Sequence, residues 1–206
     1  MIRRSRRIAQ VDPHGWLAGA RRIESPNHDA RPAGTAVDLL VVHHVSLPPG
    51  RFSGDAVERF FTNTLDPAAH PYFAGIAHLR VSAHFLVRRR GELTQFVSCD
   101  ARAWHAGASS FMGRERCNDF SIGIELEGTG DVPYTDAQYR VLARVALALS
   151  RRHPLRWVAG HEDIAPGRKA DPGPSFDWPR ALAALAPARL SRPFGPRDCD
   201  AAGRAD

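Results

Sequence analysis

The stretch Asp38-Leu39-Leu40-Val41-Val42-His43-His44-Val45 is a short, valine-rich apolar run that ends before Pro48-Pro49-Gly50. Its length, its β-branched content and its bounding turn residues predict a strand buried on both faces. Such strands belong to sheets covered by helices, which points to an α/β protein. His43 closes the run. α/β proteins place their sites where a polar group ends a buried strand just before a loop. Taken alone, His43 reads better as a buried histidine bonded to a carbonyl.

Working outward, residues up to about Val37 are rich in Pro, Arg and Asp and predict an irregular lead-in with one short turn near Trp16. Asp55 to Thr62 places Val57, Phe60 and Phe61 at helical spacing. Val81 to Val97 reads as a hairpin, with Val81, Ala83, Phe85 and Val87 on one face, Arg90-Gly91 at the turn and Leu93 to Val97 returning. Phe120 to Gly128 is another strand; Ile122, Ile124 and Leu126 face one side, and Ser121, Gly123, Glu125 and Glu127 the other. Thr135-Asp136-Ala137-Gln138 is a capping box. It opens a helix with Leu142, Val145, Ala146 and Leu149 on one stripe, ending at His153-Pro154. Trp157-Val158-Ala159 is a short strand, and a last helix follows Pro179 and runs to Pro187. The expected architecture is a single α/β domain, a central mostly mixed sheet flanked by helices. Its expected divisions are a basic irregular leader (1–14), the domain (15–187) and a flexible tail (188–206).

The chain has 206 residues and a net charge of +6. It holds no apolar run long enough for a transmembrane helix. The basic start lacks the apolar core of a secretory signal, so a cytoplasmic protein is expected. Cys99, Cys117 and Cys199 are odd in number, scattered and without metal-ligand spacing, which fits reduced thiols. The excess of arginine is compatible with nucleic acid, anionic membrane or an acidic substrate. No nucleic-acid motif with interleaved aromatics accompanies it.

The chain has 28 lysines and arginines, and only one is a lysine, Lys169. Lysine is a compact point charge, arginine a planar fork. Chance could place one lysine anywhere, but His161 and Asp171 flank this one. His43, His161 and Asp171 together resemble a catalytic zinc set, two imidazoles and a carboxylate with a place left for water. Glu162 and Asp163 compete for the carboxylate position, and spacing does not choose among them. Of the ten histidines, His14, His28, His70 and His153 are expected at the surface, and His78, His84 and His105 in the core or a cleft. Glu125 lies mid-strand, where a carboxylate is costly unless paired, metal-linked or functional. The bland alternative is a solvated face with two ordinary glutamates. Gly123 suggests that something approaches that face closely.

Five blocks, in order, carry a resemblance to a known family. They are Leu39 to His43, Pro71 to His84, Arg102-Ala103-Trp104-His105-Ala106-Gly107, Gly113 to Gly128, and Gly160-His161 to Trp178. They resemble the zinc amidase and peptidoglycan-recognition-protein superfamily, and within it the cytoplasmic anhydro-muropeptide amidases of bacterial cell-wall recycling. The resemblance spans about Gly15 to about Trp178. It implies one zinc per chain held by His43, His161 and Asp171. It implies that Glu125 activates the attacking water, that Lys169 stabilises the oxyanion, and that Tyr72 occupies a tyrosine position used in related amidases. It places Arg80, Trp104 and Arg116 in blocks that line the muropeptide groove. His44 stands where asparagine is expected, which touches a sugar contact and not the chemistry. The implied substrate is an anhydro-muropeptide and the implied form a monomer, without nucleic acid or membrane partners. A peptidoglycan-binding module without activity typically lacks a metal ligand; here all three positions are filled.

Overall fold

The computed structural model describes residues 10–195. Leu39–Val45 is a strand whose first five residues are buried. In chain order the strands are β1 (Arg21–Arg22), β2 (His28–Asp29), β3 (Leu39–Val45), β4 (Phe85–Val87), β5 (Leu93–Gln95), β6 (Arg102–Ala103), β7 (Ser110–Phe111), β8 (Arg114–Glu115), β9 (Ser121–Glu127) and β10 (Trp157–Gly160). The α-helices are α1 (Ala56–Phe61), α2 (Pro71–Ala74), α3 (Asp136–Leu149), α4 (His161–Ile164) and α5 (Trp178–Leu185), and a 3-10 turn spans Cys117–Asp119. Six strands form one sheet in the order β1-β5-β4-β9-β3-β10. β4 and β5 are antiparallel, while β9, β3 and β10 run parallel. The expected mixed central sheet is therefore present.

Strand alternation sorts the side chains into two layers. Leu40 and Val42 of β3 and Ile122, Ile124 and Leu126 of β9 pack with Leu142, Val145 and Leu149 of α3 and Leu185 of α5. Each such buried aliphatic contributes roughly 1.5–3 kcal/mol. Leu39 and Val41 point the other way, to Ala159, Phe111 and Ile164. His43, Gly123 and Glu125 share the parity of this second face.

The capping box at Thr135 is formed: Thr135 Oγ1 accepts from Gln138 N at 3.2 Å, and Gln138 Oε1 from Thr135 N at 3.0 Å. Gln138 Nε2 also donates to the Glu127 carbonyl at 2.9 Å, tying the start of α3 to the end of β9.

Three expectations are corrected. The lead-in is not wholly irregular, because β1 pairs with β5 and β2 with β6. The hairpin is shorter than expected, and its face assignment fails. Ala83 packs with Leu86 and Phe96, whereas Phe85 and Val87 pack under α3. The pleat is interrupted because Ser82 N donates to the Trp104 carbonyl, and regular pairing to β9 begins only at Phe85. The stretch after Pro187 is not loose within the described residues. Leu190 is buried, Ser191 bridges to Trp157, and Arg192 pairs with Asp163 at 2.8 Å. The first nine residues of the expected leader and residues 196–206 of the expected tail, including Cys199, lie outside the described residues. Cys99 and Cys117 are free and buried.

Candidate metal centre and active site

The carboxyl ends of three parallel strands deliver the site. His43 lies near the end of β3, Glu125 near the end of β9, and His161 directly follows β10. His43 Nδ1 lies 2.9 Å from His161 Nδ1, and each lies 3.1 Å from Asp171 Oδ2. The loop after α4 returns Asp171 to this point, where its backbone carbonyl accepts from Glu162 N at 2.8 Å. Tyr134 secures the same turn by donating from its hydroxyl to the Pro172 carbonyl at 2.8 Å. Among the three carboxylates left open by spacing, the geometry selects Asp171. Asp163 is engaged elsewhere, accepting from Gly160 N at 2.8 Å and pairing with Arg192.

The donor set fits a divalent cation. Nε2 of His161 faces the Ala106 carbonyl at 3.1 Å, which leaves Nδ1 as the nitrogen turned to Asp171 and His43. Burial, and then the neighbouring His161, lowers the His43 pKa to about 4, so this imidazole is neutral and able to ligate. Ligand bonds of about 2.0–2.1 Å in a tetrahedron separate neighbouring ligands by about 3.3 Å. The observed separations come within a few tenths of an ångström of that figure.

Glu125 lines the same cleft, and its Oε2 is buried without a hydrogen-bond partner. Burial raises its pKa well above the usual carboxylate value; Asp171 adds to this and Lys169 opposes it. Glu127, two residues on along the same face, is different. It is 4 % exposed, accepts from Arg88 at 2.7 Å and from Arg89 N at 3.0 Å, and serves the scaffold.

The cleft holds about 540 Å³. Phe60, Ile76, Leu79 and Val81 build an apolar wall, and His44, Tyr72 and Lys169 also line it. Tyr72 is 45 % exposed, and Lys169 is exposed at the rim. Arg80, Trp104 and Arg116 are not among the cleft-lining residues. Arg80 is exposed, its guanidinium held by the carbonyls of Ala77, His78 and Leu79. Trp104 is half-buried, next to the cleft-lining His105. Arg116 is exposed and pairs with Asp119 at 3.3 Å.

Among the other histidines, His78 is exposed rather than near the core, because it lies in the turn after α2, outside the sheet. His153 is half-buried rather than on the surface, its Nε2 making no hydrogen bond and lying 3.7 Å from Asp100 Oδ1. His84 is buried, its Nδ1 accepting from Gly123 N at 3.1 Å. Sequence reading gave no role to His105, whose Nδ1 lies 2.9 Å from His43 Nε2. The only signal was Gly123: a Cβ there would stand 2.5–2.8 Å from the His105 ring.

A family profile for N-acetylmuramoyl-L-alanine amidase matches residues 33–174. The chain is 62 % identical over 175 residues to 1,6-anhydro-N-acetylmuramyl-L-alanine amidase AmpD of Citrobacter freundii, covering 84 % of this chain and 94 % of that protein. A crystal structure of a selenomethionine AmpD derivative superposes with a TM-score of 0.81 at 61 % identity, covering 84 % of this chain and 97 % of the other. A solved complex of the Escherichia coli amidase AmiD with anhydro-N-acetylmuramic acid-L-Ala-D-γ-Glu-L-Lys has a TM-score of 0.53 at 30 % identity, covering 84 % of this chain and 65 % of that one. The buried two-histidine, one-carboxylate cluster beside a lone carboxylate in an open cleft thus belongs to a member of the N-acetylmuramoyl-L-alanine amidase family.

Proposed function

We propose that the protein hydrolyses the amide bond between 1,6-anhydro-N-acetylmuramic acid and L-alanine of muropeptides, as a step of cell-wall recycling. The observation that carries this reading is the placement of Glu125, with an unpartnered buried oxygen, in the same cleft as His43, His161 and Asp171. The relatives' names supply the bond. We assign one zinc ion per chain to His43, His161 and Asp171. When bound, zinc lowers the pKa of a coordinated water to about 7 and polarises a carbonyl.

The chain's own residues supply the rest. Glu125 takes the proton of the attacking water and later passes it to the departing alanine nitrogen. Lys169, at the rim of the cleft, donates to the oxygen that gains charge as the amide carbonyl becomes tetrahedral, with Tyr72 the second donor on the lining. The wall of Phe60, Ile76 and Leu79 takes the apolar faces of the sugar and lactyl group, and His44 meets the sugar's polar edge. Arg80, Trp104 and Arg116 lie beyond the cleft lining and receive the outer parts of the substrate, the two arginines binding stem-peptide carboxylates.

We further propose that the amidase unit, residues 15–187, acts as a cytoplasmic monomer without nucleic acid or membrane partners. No helix among the described residues is long and apolar enough to cross a membrane. Mass spectrometry of products from anhydro- and reducing-end muropeptides tests the reading. Free stem peptide with an intact sugar is expected; a cut glycosidic bond or a cut within the peptide overturns it.

A further inference from the structure

We propose that His105 and Ser121, neither of them a ligand, fix the tautomer of His43 through a directional hydrogen-bond relay that ends on the Cys117 carbonyl. The direction follows from the last link. Ser121 Oγ lies 2.6 Å from the Cys117 carbonyl, which can only accept, so the serine donates its one proton there. Ser121 Oγ must then accept from His105 Nε2, 3.2 Å away. His105 therefore carries its proton on Nε2 and leaves Nδ1 as an acceptor. That Nδ1 lies 2.9 Å from His43 Nε2, so His43 donates to it from Nε2–H. His43 Nδ1 is thereby bare and turned toward His161 Nδ1 and Asp171 Oδ2. With neutral rings, any other arrangement sets two N–H groups, or two lone pairs, against each other along the relay; this one gathers the bare Nδ1 atoms of His43 and His161 and Asp171 Oδ2, three acceptors that a cation would join.

The second imidazole is governed by a shorter route. His161 Nε2 meets the Ala106 carbonyl directly at 3.1 Å. His105 and Ala106 are consecutive, so one segment sets both rings. The side chain of Asn118 holds that segment, its Oδ1 accepting from His105 N at 3.2 Å and Ala106 N at 2.8 Å. Cys117 and Asn118 lie in the same 3-10 turn. Arg31 pins that turn, donating to the carbonyls of Asn118 at 3.0 Å and Asp119 at 2.9 Å. Gly123 opens the space for the His105 ring, which a Cβ would meet at 2.5–2.8 Å. His105 and Ser121 are thus positioning residues. An imidazole held in the ligating tautomer loses less freedom on binding a metal and is the better donor.

The proposal rests on the zinc-site reading, and two measurements separate them. The first is long-range proton–nitrogen NMR on the zinc-loaded protein labelled with nitrogen-15 in histidine. The second is zinc affinity by competition with a chromophoric chelator, for the wild type, Ser121→Ala, His105→Leu and His105→Asn. The wild type should show His43 and His105 both protonated on Nε2, and Ser121→Ala should mix the His105 tautomers. Zinc affinity should fall about 10- to 100-fold in His105→Leu. His105→Asn, whose amide oxygen can stand near the place of Nδ1, should recover most of the loss. A His105 proton on Nδ1 in the wild type would overturn the proposal. So would wild-type affinity in His105→Leu, or an Asn variant no better than Leu while both remain folded by circular dichroism. A wild type that takes up no zinc would overturn the site reading and this proposal together.

Discussion

His43 and Glu125 are register partners on adjacent parallel strands, β3 and β9. Strand neighbours lie about 4.8 Å apart, and side chains at paired positions leave the sheet on the same face. The proposed ligand and the proposed base are therefore held side by side by backbone pairing, and no loop has to close to bring them together.

This placement makes Glu125 separable from the metal. Glu125→Gln should keep zinc at one per chain and lower kcat by about 100-fold or more. Glu127→Gln should keep kcat within a few-fold and instead lower stability, on the order of 1–3 kcal/mol, because its partner Arg88 is largely buried and loses half of its paired charge. Metal analysis, steady-state kinetics and urea unfolding of both variants check the contrast. Equal losses of kcat would remove Glu125 from the base role.

Lys169 is exposed at the rim, so exchanging it should not disturb the fold. Lys169→Arg keeps the charge but moves it onto a longer planar head. An expected fall in kcat of roughly tenfold or more, with unchanged zinc content and Tm, would fit a donor to the developing oxyanion. Near-full activity in the variant would transfer that role to Tyr72 or to the metal alone.

Gly123 is the position where one methyl group should do the most damage. Gly123→Ala would drive a Cβ into the His105 ring. Overpacking of this kind costs typically about 1–3 kcal/mol. The variant should also bind zinc more weakly than wild type, since the displaced ring is the partner of His43. A stable variant with wild-type zinc affinity would show that the ring has room to shift.

His153 gives a pH-dependent stability remote from the site. Burial lowers its pKa from 6.5 to about 4, against the attraction of Asp100. The unfolded chain takes up that proton first as pH falls. The stability held by the neutral ring is therefore complete above about pH 6.5 and is lost as pH drops from there to about 4, by roughly 1–3 kcal/mol. Urea midpoints at several pH values should show His153→Gln flattening this part of the profile. An identical profile in the variant would place the acid sensitivity elsewhere.

The parts of the fold legible from sequence were those written in contiguous residues. The β3 run, the alternation in β9 and the Thr135–Gln138 cap each carry their structure locally. The spacing of His43, His161 and Asp171 was a weak signal for a ligand set; the resemblance named Asp171, and the physical reason that Asp163 is engaged elsewhere, its pairing with Arg192 from 29 residues away, is visible only in the folded chain. The face assignment at Val81–Val87 failed because a backbone bond from Ser82 to Trp104 interrupts the pleat, and periodicity does not encode such a bond. His105, Ser121 and Tyr134 stayed silent because each acts through a carbonyl or a ring that only the folded chain brings near.

The strand order sets a timetable for synthesis. A nascent chain is made from its N-terminus, so β3, β4, β5 and β9 exist before β10. Until residues 157–160 have been made, β3 is a bare rim with unpaired backbone groups on one side. The strands that carry His43 and Glu125 are both made by then, but His161 and Asp171 arrive only with the last quarter of the chain. The protein thus gathers its proposed metal ligands and covers the β3 edge in the same late event, and a polypeptide that stops before residue 157 has neither.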